Sequence, residues 1–258
     1  MRAVLHGSIH ASQRRPAPVG SSAGNGAFTA GREQAGKSVP VAGLTVTMLV
    51  LQAVVFVEPA DAMAASWPTA TVPASRWLVL DGGCTEGQIG LFVAGLARAL
   101  DPGTLRLDNV VEALLAEESL IAAGGLRAHD PTSGVEVVPG CCCGLEAWRD
   151  WLQVLAGNPP WLGHDPTPTI EIVGEHVTVR QDSSSGASRR PAQAQLTIGL
   201  STLPVVLASA QRDLVAFLAA FRNWTATMGL GHRGLALADA INHHFCITAP
   251  LGRPTPWS

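Results

Sequence analysis

The sequence predicts an α+β fold, a single domain of antiparallel meanders and hairpins backed by amphipathic helices. Three observations predict it. Short β-type runs come in close pairs joined by turn residues, at 126–129 with 135–138 and at 170–173 with 176–180. Helical periodicities gather in blocks rather than alternating strictly with strands. Hydrophobic residues make up 47% and charged residues 14% of the 258 positions, enough apolar material for one sizeable core.

Taken in order, residues 1–40 are rich in Gly, Ala, Ser, Arg, Pro and Gln and carry no sustained apolar period, as in a disordered leader. An apolar run follows at 41–57. It is short for a bilayer span of about 20 residues, yet Ala60-Asp61-Ala62 behind it has the look of an A-x-A cleavage site. Met63 is an alternative start for the folded part. The reading is a leader over 1–75, an ordered domain over 76–246 and a tail over 247–258. An export signal or membrane anchor at 41–57 is the alternative to a cytoplasmic chain.

Trp77, Leu78, Val79 and Leu80 read as a buried strand closed by Asp81-Gly82-Gly83. Thr85 is placed to N-cap a helix over 86–100, with Ile89, Phe92, Val93 and Leu96 on one face. Asp108 is placed to cap a second helix carrying Val110, Val111, Leu114 and Leu115, which Gly124-Gly125 ends. After the first hairpin, residues 145–156 form an α-helical stripe of Leu145, Trp148, Leu152 and Leu155, widened by Trp151 and stopped by Gly157. The prolines of 158–168 exclude helix and central strand there. The second hairpin turns at Gly174-Glu175. A polar loop spans 182–190, and a strand includes Leu196, Thr197 and Ile198. The longest helix runs over 204–228 with Pro204 in its first turn, and a last helix covers 235–244.

A net charge of −3, one lysine (Lys37) and scattered arginines give no reason to expect a nucleic-acid partner. The lack of Tyr alongside Ala, Gly, Arg and Pro bias reflects a GC-rich coding sequence. Five cysteines, three of them contiguous, do not look like the evenly spaced even set of a disulfide framework. They point to reduced thiols in the cytoplasm.

Cys141, Cys142 and Cys143 sit between the Pro139-Gly140 turn and Gly144. A thiol at a helix start can become a reactive thiolate, so Cys142 and Cys143 are the catalytic candidates, with His164 as a base oriented by Asp165. Cys143 and Arg149 also have the C-x5-R spacing of cysteine-dependent phosphatases, but a regular helix there would carry Arg149 away from a phosphate cradle. A metal set of Cys141, Cys143 and His164, with His129 as a further donor, needs an extended C-x-C segment. His243, His244 and Cys246 form a second group of ligand types. Trp161, His164 and Asp165 are binding candidates on the proline-fixed loop, although Trp161 can equally plug the core. Glu117-Glu118 is a solvated helix end.

The run from Val138 to Trp151, followed by Pro160-Trp161-Leu162-Gly163-His164-Asp165-Pro166, resembles a group of actinobacterial proteins with no established activity. The stretch with Arg212-Asp213-Leu214 and Phe217-Leu218, ending near Trp224, is similar to the same group. The resemblance spans about residues 76–228. It implies one ordinary domain and supplies no chemistry. Immunity proteins are an analogy of genomic habit only.

G-x-S-x-G, H-E-x-x-H and Walker A motifs are missing, and Gly229-Leu230-Gly231 follows a helix, the wrong context for a dinucleotide loop. No cofactor is implied. The expectation is therefore a non-enzymatic protein-interaction module, regulatory or immunity-like, that contacts another protein through 158–168 and 182–190. Its alternative is a thiol-dependent or metal-binding protein centred on the cysteine triplet.

Overall fold

A computed structural model describes residues 48–100, 106–181 and 194–252. The chain divides between Ala42 and Gly43, and every described residue belongs to the second unit. That unit is α+β, as expected, with two antiparallel sheets.

The first sheet has the order β2-β1-β3-β4, with β1 at Val50–Phe56, β2 at Trp77–Val79, β3 at Gly124–His129 and β4 at Glu136–Val137. β1 is flanked on both sides, pairing Val54 with Val79 and Leu51 with Ala128. Its residues Ala53, Val54 and Val55 are all buried, so both faces of this strand are covered. This placement corrects the reading of 50–56 as leader or anchor, while residues 41–47 of that run lie outside the described residues. The second half of that run is an inner strand of the sheet, and the domain begins well before residue 76. A chain starting at Met63 would lack that strand. The supposed cleavage triplet lies in helix α1 (Pro59–Ala64), where buried Asp61 accepts from Arg98 Nε at 2.9 Å and from its Nη2.

Thr85 caps α2 (Glu86–Leu96) through a capping box with Gln88, as its sequence predicts. The helix ends earlier than expected and tightens into a 3₁₀ turn at Ala97–Ala99. In α3 (Leu107–Ala116) the cap position falls to Arg106, and Asp108 sits in the first turn instead. Gly124 and Gly125 open β3 rather than ending a helical region. Gly124, at φ 156°, lies where a Cβ would come 2.2 Å from the Val54 carbonyl oxygen.

Residues Leu145–Ala156 form a 3₁₀ helix, not an α-helix. Its three-residue turn lines up Leu145, Trp148, Trp151 and Val154, all buried, while Leu152 and Leu155 move to the flank. Trp148 is locked by an indole donation to the Phe245 carbonyl at 2.8 Å.

The second sheet is the meander β5 (Pro168–Val173), β6 (His176–Gln181) and β7 (Ala194–Gly199), with the Val173–His176 pair closing the turn at Gly174-Glu175. Gln181 joins it to the first sheet's end, accepting from the Val138 amide at 3.2 Å. Residues 182–193, which include the predicted contact loop at 182–190, lie outside the described residues.

Helix α4 (Leu203–Thr227) packs on β1 and on α5 (Gly231–His244) through Leu207, Leu214, Phe217, Phe221 and Trp224. It is long and apolar enough, by length and composition, to cross a membrane, and about a third of its most apolar stretch is buried. The expected free tail is partly tied down. Ile247 is buried, and Arg149 donates to the carbonyls of Cys246, Ala249 and Pro250. That engagement also removes Arg149 from any phosphate cradle.

Candidate metal centre

Two backbone segments build the site. The cysteine turn is pinned on one side to the start of β3, through Gly124 N–H to the Cys143 carbonyl (2.9 Å) and Leu145 N–H to the Ala122 carbonyl (2.7 Å). On its other side it pairs with the proline-rich loop. Gly140 N–H donates to Leu162, while Cys141 and His164 exchange amide bonds of 2.5 and 3.1 Å as an isolated antiparallel bridge. Two glycines permit this approach. A Cβ on Gly140 would meet His164 N at 2.6 Å, and one on Gly163, already at φ 93°, would meet the Cys141 carbonyl oxygen at 2.6 Å.

An extended chain sends adjacent side chains to opposite faces, which would separate Cys141 from Cys142. Cys142 instead has φ 64°, a left-handed conformation that costs a non-glycine residue roughly 1–2 kcal/mol. The reversal brings Cys142 Sγ to 3.2 Å from Cys141 Sγ. His164 Nε2 lies 3.9 Å from Cys141 Sγ, and its Nδ1 faces Asp165 Oδ2 at 3.6 Å. The ligand atoms of Cys141, Cys142 and His164 all fall within 4.8 Å of one another, and all three residues are exposed. Among the described residues no other trio of Cys, His or carboxylate side chains converges in this way.

This corrects the predicted ligand set. Cys141 and His164 are brought together, but Cys142 takes the place assigned to Cys143. The Cys143 thiol turns away toward the Trp161 carbonyl at 3.8 Å. His129 lies in β3 opposite Glu136 and is not part of the set. The group at His243, His244 and Cys246 does not converge on a common point either.

The electrostatics run against an activated nucleophile at the helix start. Partial burial, then the charges of Glu146, Asp150 and Cys142, push the Cys143 thiol up from its ordinary value. Cys141 is also raised, first by its hydrogen bond with Cys142, then by desolvation and by the Cys142 and Asp165 charges. The helix-dipole argument that favoured a thiolate at Cys143 is outweighed, since Glu146 stands in the first turn of that helix. What lowers a raised thiol in practice is a cation, and a metal ion deprotonates a coordinating thiol outright.

Trp161 does not plug the core. It is 61% exposed, while its neighbour Leu162 is the buried residue. Its ring centroid is 6.3 Å from that of His164. Together with Cys142, Cys143, Asp150, Pro159 and Pro160 it lines a groove of about 350 Å³ beside the cysteine turn. Partial desolvation raises the Asp150 carboxyl there. The signals that sequence reasoning passed over were Gly140 and Gly163, whose wide spacing hid their contact. No protein-family model, curated protein or solved structure matches this chain.

Proposed function

We propose that this protein binds a thiophilic metal ion, zinc or another cation of similar softness, through Cys141, Cys142 and His164. The observation carrying this reading is the convergence of two thiols and an imidazole nitrogen within 4.8 Å, achieved at the cost of a left-handed Cys142. A tetrahedral zinc ion needs ligand atoms about 3.5–3.8 Å apart, given zinc–sulfur and zinc–nitrogen bonds near 2.3 and 2.0 Å. The sulfurs, 3.2 Å apart, must separate by about 0.6 Å, and His164 Nε2, 3.9 Å from Cys141 Sγ, must close by about 0.4 Å to meet that geometry, small adjustments for exposed side chains. Three protein ligands leave one coordination position for water or a fourth donor. Asp165 Oδ2 lies 3.6 Å from His164 Nδ1, on the side from which a carboxylate supports a metal-bound imidazole, and would have to move closer to hydrogen-bond it. The odd number and contiguous spacing of the cysteines suit reduced thiols better than a disulfide framework, which supports a cytoplasmic location.

Titration of Zn²⁺ alone into the reduced full chain, against a chromophoric chelator, tests this. One equivalent is expected to bind to the wild type, with affinity reduced at least a hundredfold in Cys141→Ala, Cys142→Ala and His164→Ala. Undiminished binding in the Cys142→Ala chain would sink the reading.

The exposed Trp161 beside the groove supports a second reading, contact with another protein in a regulatory or immunity-like role. The two are compatible, because a partner side chain is one source of the fourth ligand.

A further inference from the structure

The contact between the two exposed thiols carries a second chemistry. We propose that Cys141 and Cys142 are a reversible oxidation site, closing to a disulfide between adjacent residues under a peroxide. In that form they surrender the metal. The disulfide itself follows from geometry alone, and only the release of metal rests on the metal-binding reading above.

Cys141 Sγ and Cys142 Sγ stand at 3.2 Å, inside van der Waals contact, and both residues are solvent-exposed. With Cys142 in its left-handed φ, both side chains already lie on one side of the peptide that the eight-membered ring would include. Closing the ring takes the sulfurs from 3.2 Å to about 2.05 Å. Cys141 is the better-placed partner for Cys142, because their sulfurs already touch, whereas the Cys143 thiol is engaged with the Trp161 carbonyl at 3.8 Å.

The chemistry balances with hydrogen peroxide as the oxidant. A thiolate attacks one peroxide oxygen, the O–O bond breaks, and the leaving hydroxide takes a proton to become water. The resulting sulfenic acid is attacked by the neighbouring thiol. A sulfur–sulfur bond forms, the sulfur–oxygen bond breaks, and a second water leaves. Two thiols have been oxidised, and one peroxide has been reduced to two waters.

The product is strained by construction. Adjacent residues joined by a trans peptide hold their Cα atoms about 3.8 Å apart, below the 4.4–6.8 Å of ordinary disulfides. Among the described residues only the Asp165–Pro166 bond is cis, so the Cys141–Cys142 peptide is trans. A strained and exposed disulfide is easily reduced, which suits a reversible device and not a structural staple. Both sulfurs are metal ligands in the proposed function, so a bound ion and the disulfide exclude each other.

The test uses the full chain, reduced and freed of metal, exposed to stoichiometric hydrogen peroxide and mapped by peptide mass spectrometry. Expected are a loss of about 2 Da in the tryptic peptide bearing the triplet, fragmentation that assigns the link to Cys141 and Cys142, and the same result in Cys143→Ser. Cys141→Ser and Cys142→Ser should lose that link and accumulate oxygenated sulfur instead. Reduced glutathione should restore the thiols. A link through Cys143, links only between chains, or a disulfide that glutathione cannot reduce would each overturn the proposal. A second arm preloads Zn²⁺, which should slow oxidation at least tenfold. If the disulfide forms but zinc never binds, the metal reading fails and the oxidation site stands. If zinc binds but no disulfide forms, the reverse holds. Zinc that binds at Cys141 and Cys142 without slowing oxidation would overturn the exclusion of one by the other.

Discussion

Two groups of the same residue types behave in opposite ways. Cys141, Cys142 and His164 converge, although 23 positions separate the first from the last. His243, His244 and Cys246 are nearly contiguous yet share no common point. His243 and His244 end α5, where consecutive side chains radiate at about 100° from one another, and Cys246 lies two residues beyond in a turn, itself at φ 49°. His243 and His244 touch edge to face with centroids 5.3 Å apart, and the Cys246 thiol bonds the His243 carbonyl at 3.5 Å instead of joining the rings. The lesson is that nearness in sequence is a poor guide to a ligand set. A left-handed cysteine occurs in both groups, at Cys142 and at Cys246, so what separates them is the pair of glycines that lets one loop lie against another.

The strongest way to break this contrast is therefore to leave every ligand in place and disturb the glycine contact. Gly163→Ala puts a Cβ 2.6 Å from the Cys141 carbonyl oxygen at a φ of 93°, so the Cys141–His164 bridge must open. Zinc affinity should fall by about two orders of magnitude, the scale of losing the imidazole. Gly163 is buried and its Cβ would crowd the Gly140 backbone as well, so the circular-dichroism melt should also fall, and zinc affinity is compared at a temperature where both chains are folded. Retention of wild-type affinity would show that convergence does not depend on that approach.

A smaller effect sharpens the comparison through protons. Metal binding must displace the thiol protons, and the Cys141 thiol is held above its ordinary value. The sign follows directly. Lowering the pH favours the protonated thiol and weakens binding, and a raised thiol keeps that competition active throughout the neutral range. Each displaced proton contributes a factor of about ten per pH unit. Zinc affinity should therefore fall at least tenfold from pH 8 to pH 7 in chelator competition. A flat profile would mean that the thiols are not the ligands.

Much of the fold was legible because its signals are local. Turn residues at 130–134 and 174–175 fixed both hairpins, Thr85 announced its helix, and the apolar period of α4 was long enough to be read without ambiguity. β1 was illegible for a physical reason. A strand covered on both faces has no alternation, so its apolar run looked like leader sequence next to a low-complexity stretch. The 3₁₀ helix escaped because its period and that of an α-helix agree for Leu145 and Trp148. They part at Trp151 against Leu152 and again at Val154 against Leu155. For the site, the residue types were visible but the pairing was not. Extended-chain alternation selects Cys141 with Cys143, and nothing in the sequence marks a left-handed backbone at a cysteine.

The smallest expected effect belongs to the second group, and it is the one that tests the comparison from the other side. His243 and Cys246 are both exposed, and their side chains carry little of the packing, which passes instead through buried Phe245 and Ile247. The anchors that hold this end of the chain are backbone carbonyls. Phe245 accepts from Trp148, and Cys246 accepts from Arg149 at 3.1 Å, contacts that alanine preserves. A His243→Ala/Cys246→Ala chain should thus keep its unfolding free energy within about 0.5 kcal/mol, as surface substitutions do. Its zinc stoichiometry should stay at one, with affinity altered less than about twofold. If the double variant instead lost its zinc, the terminal group would be the ligand set, and the convergence at Cys141, Cys142 and His164 would be packing alone.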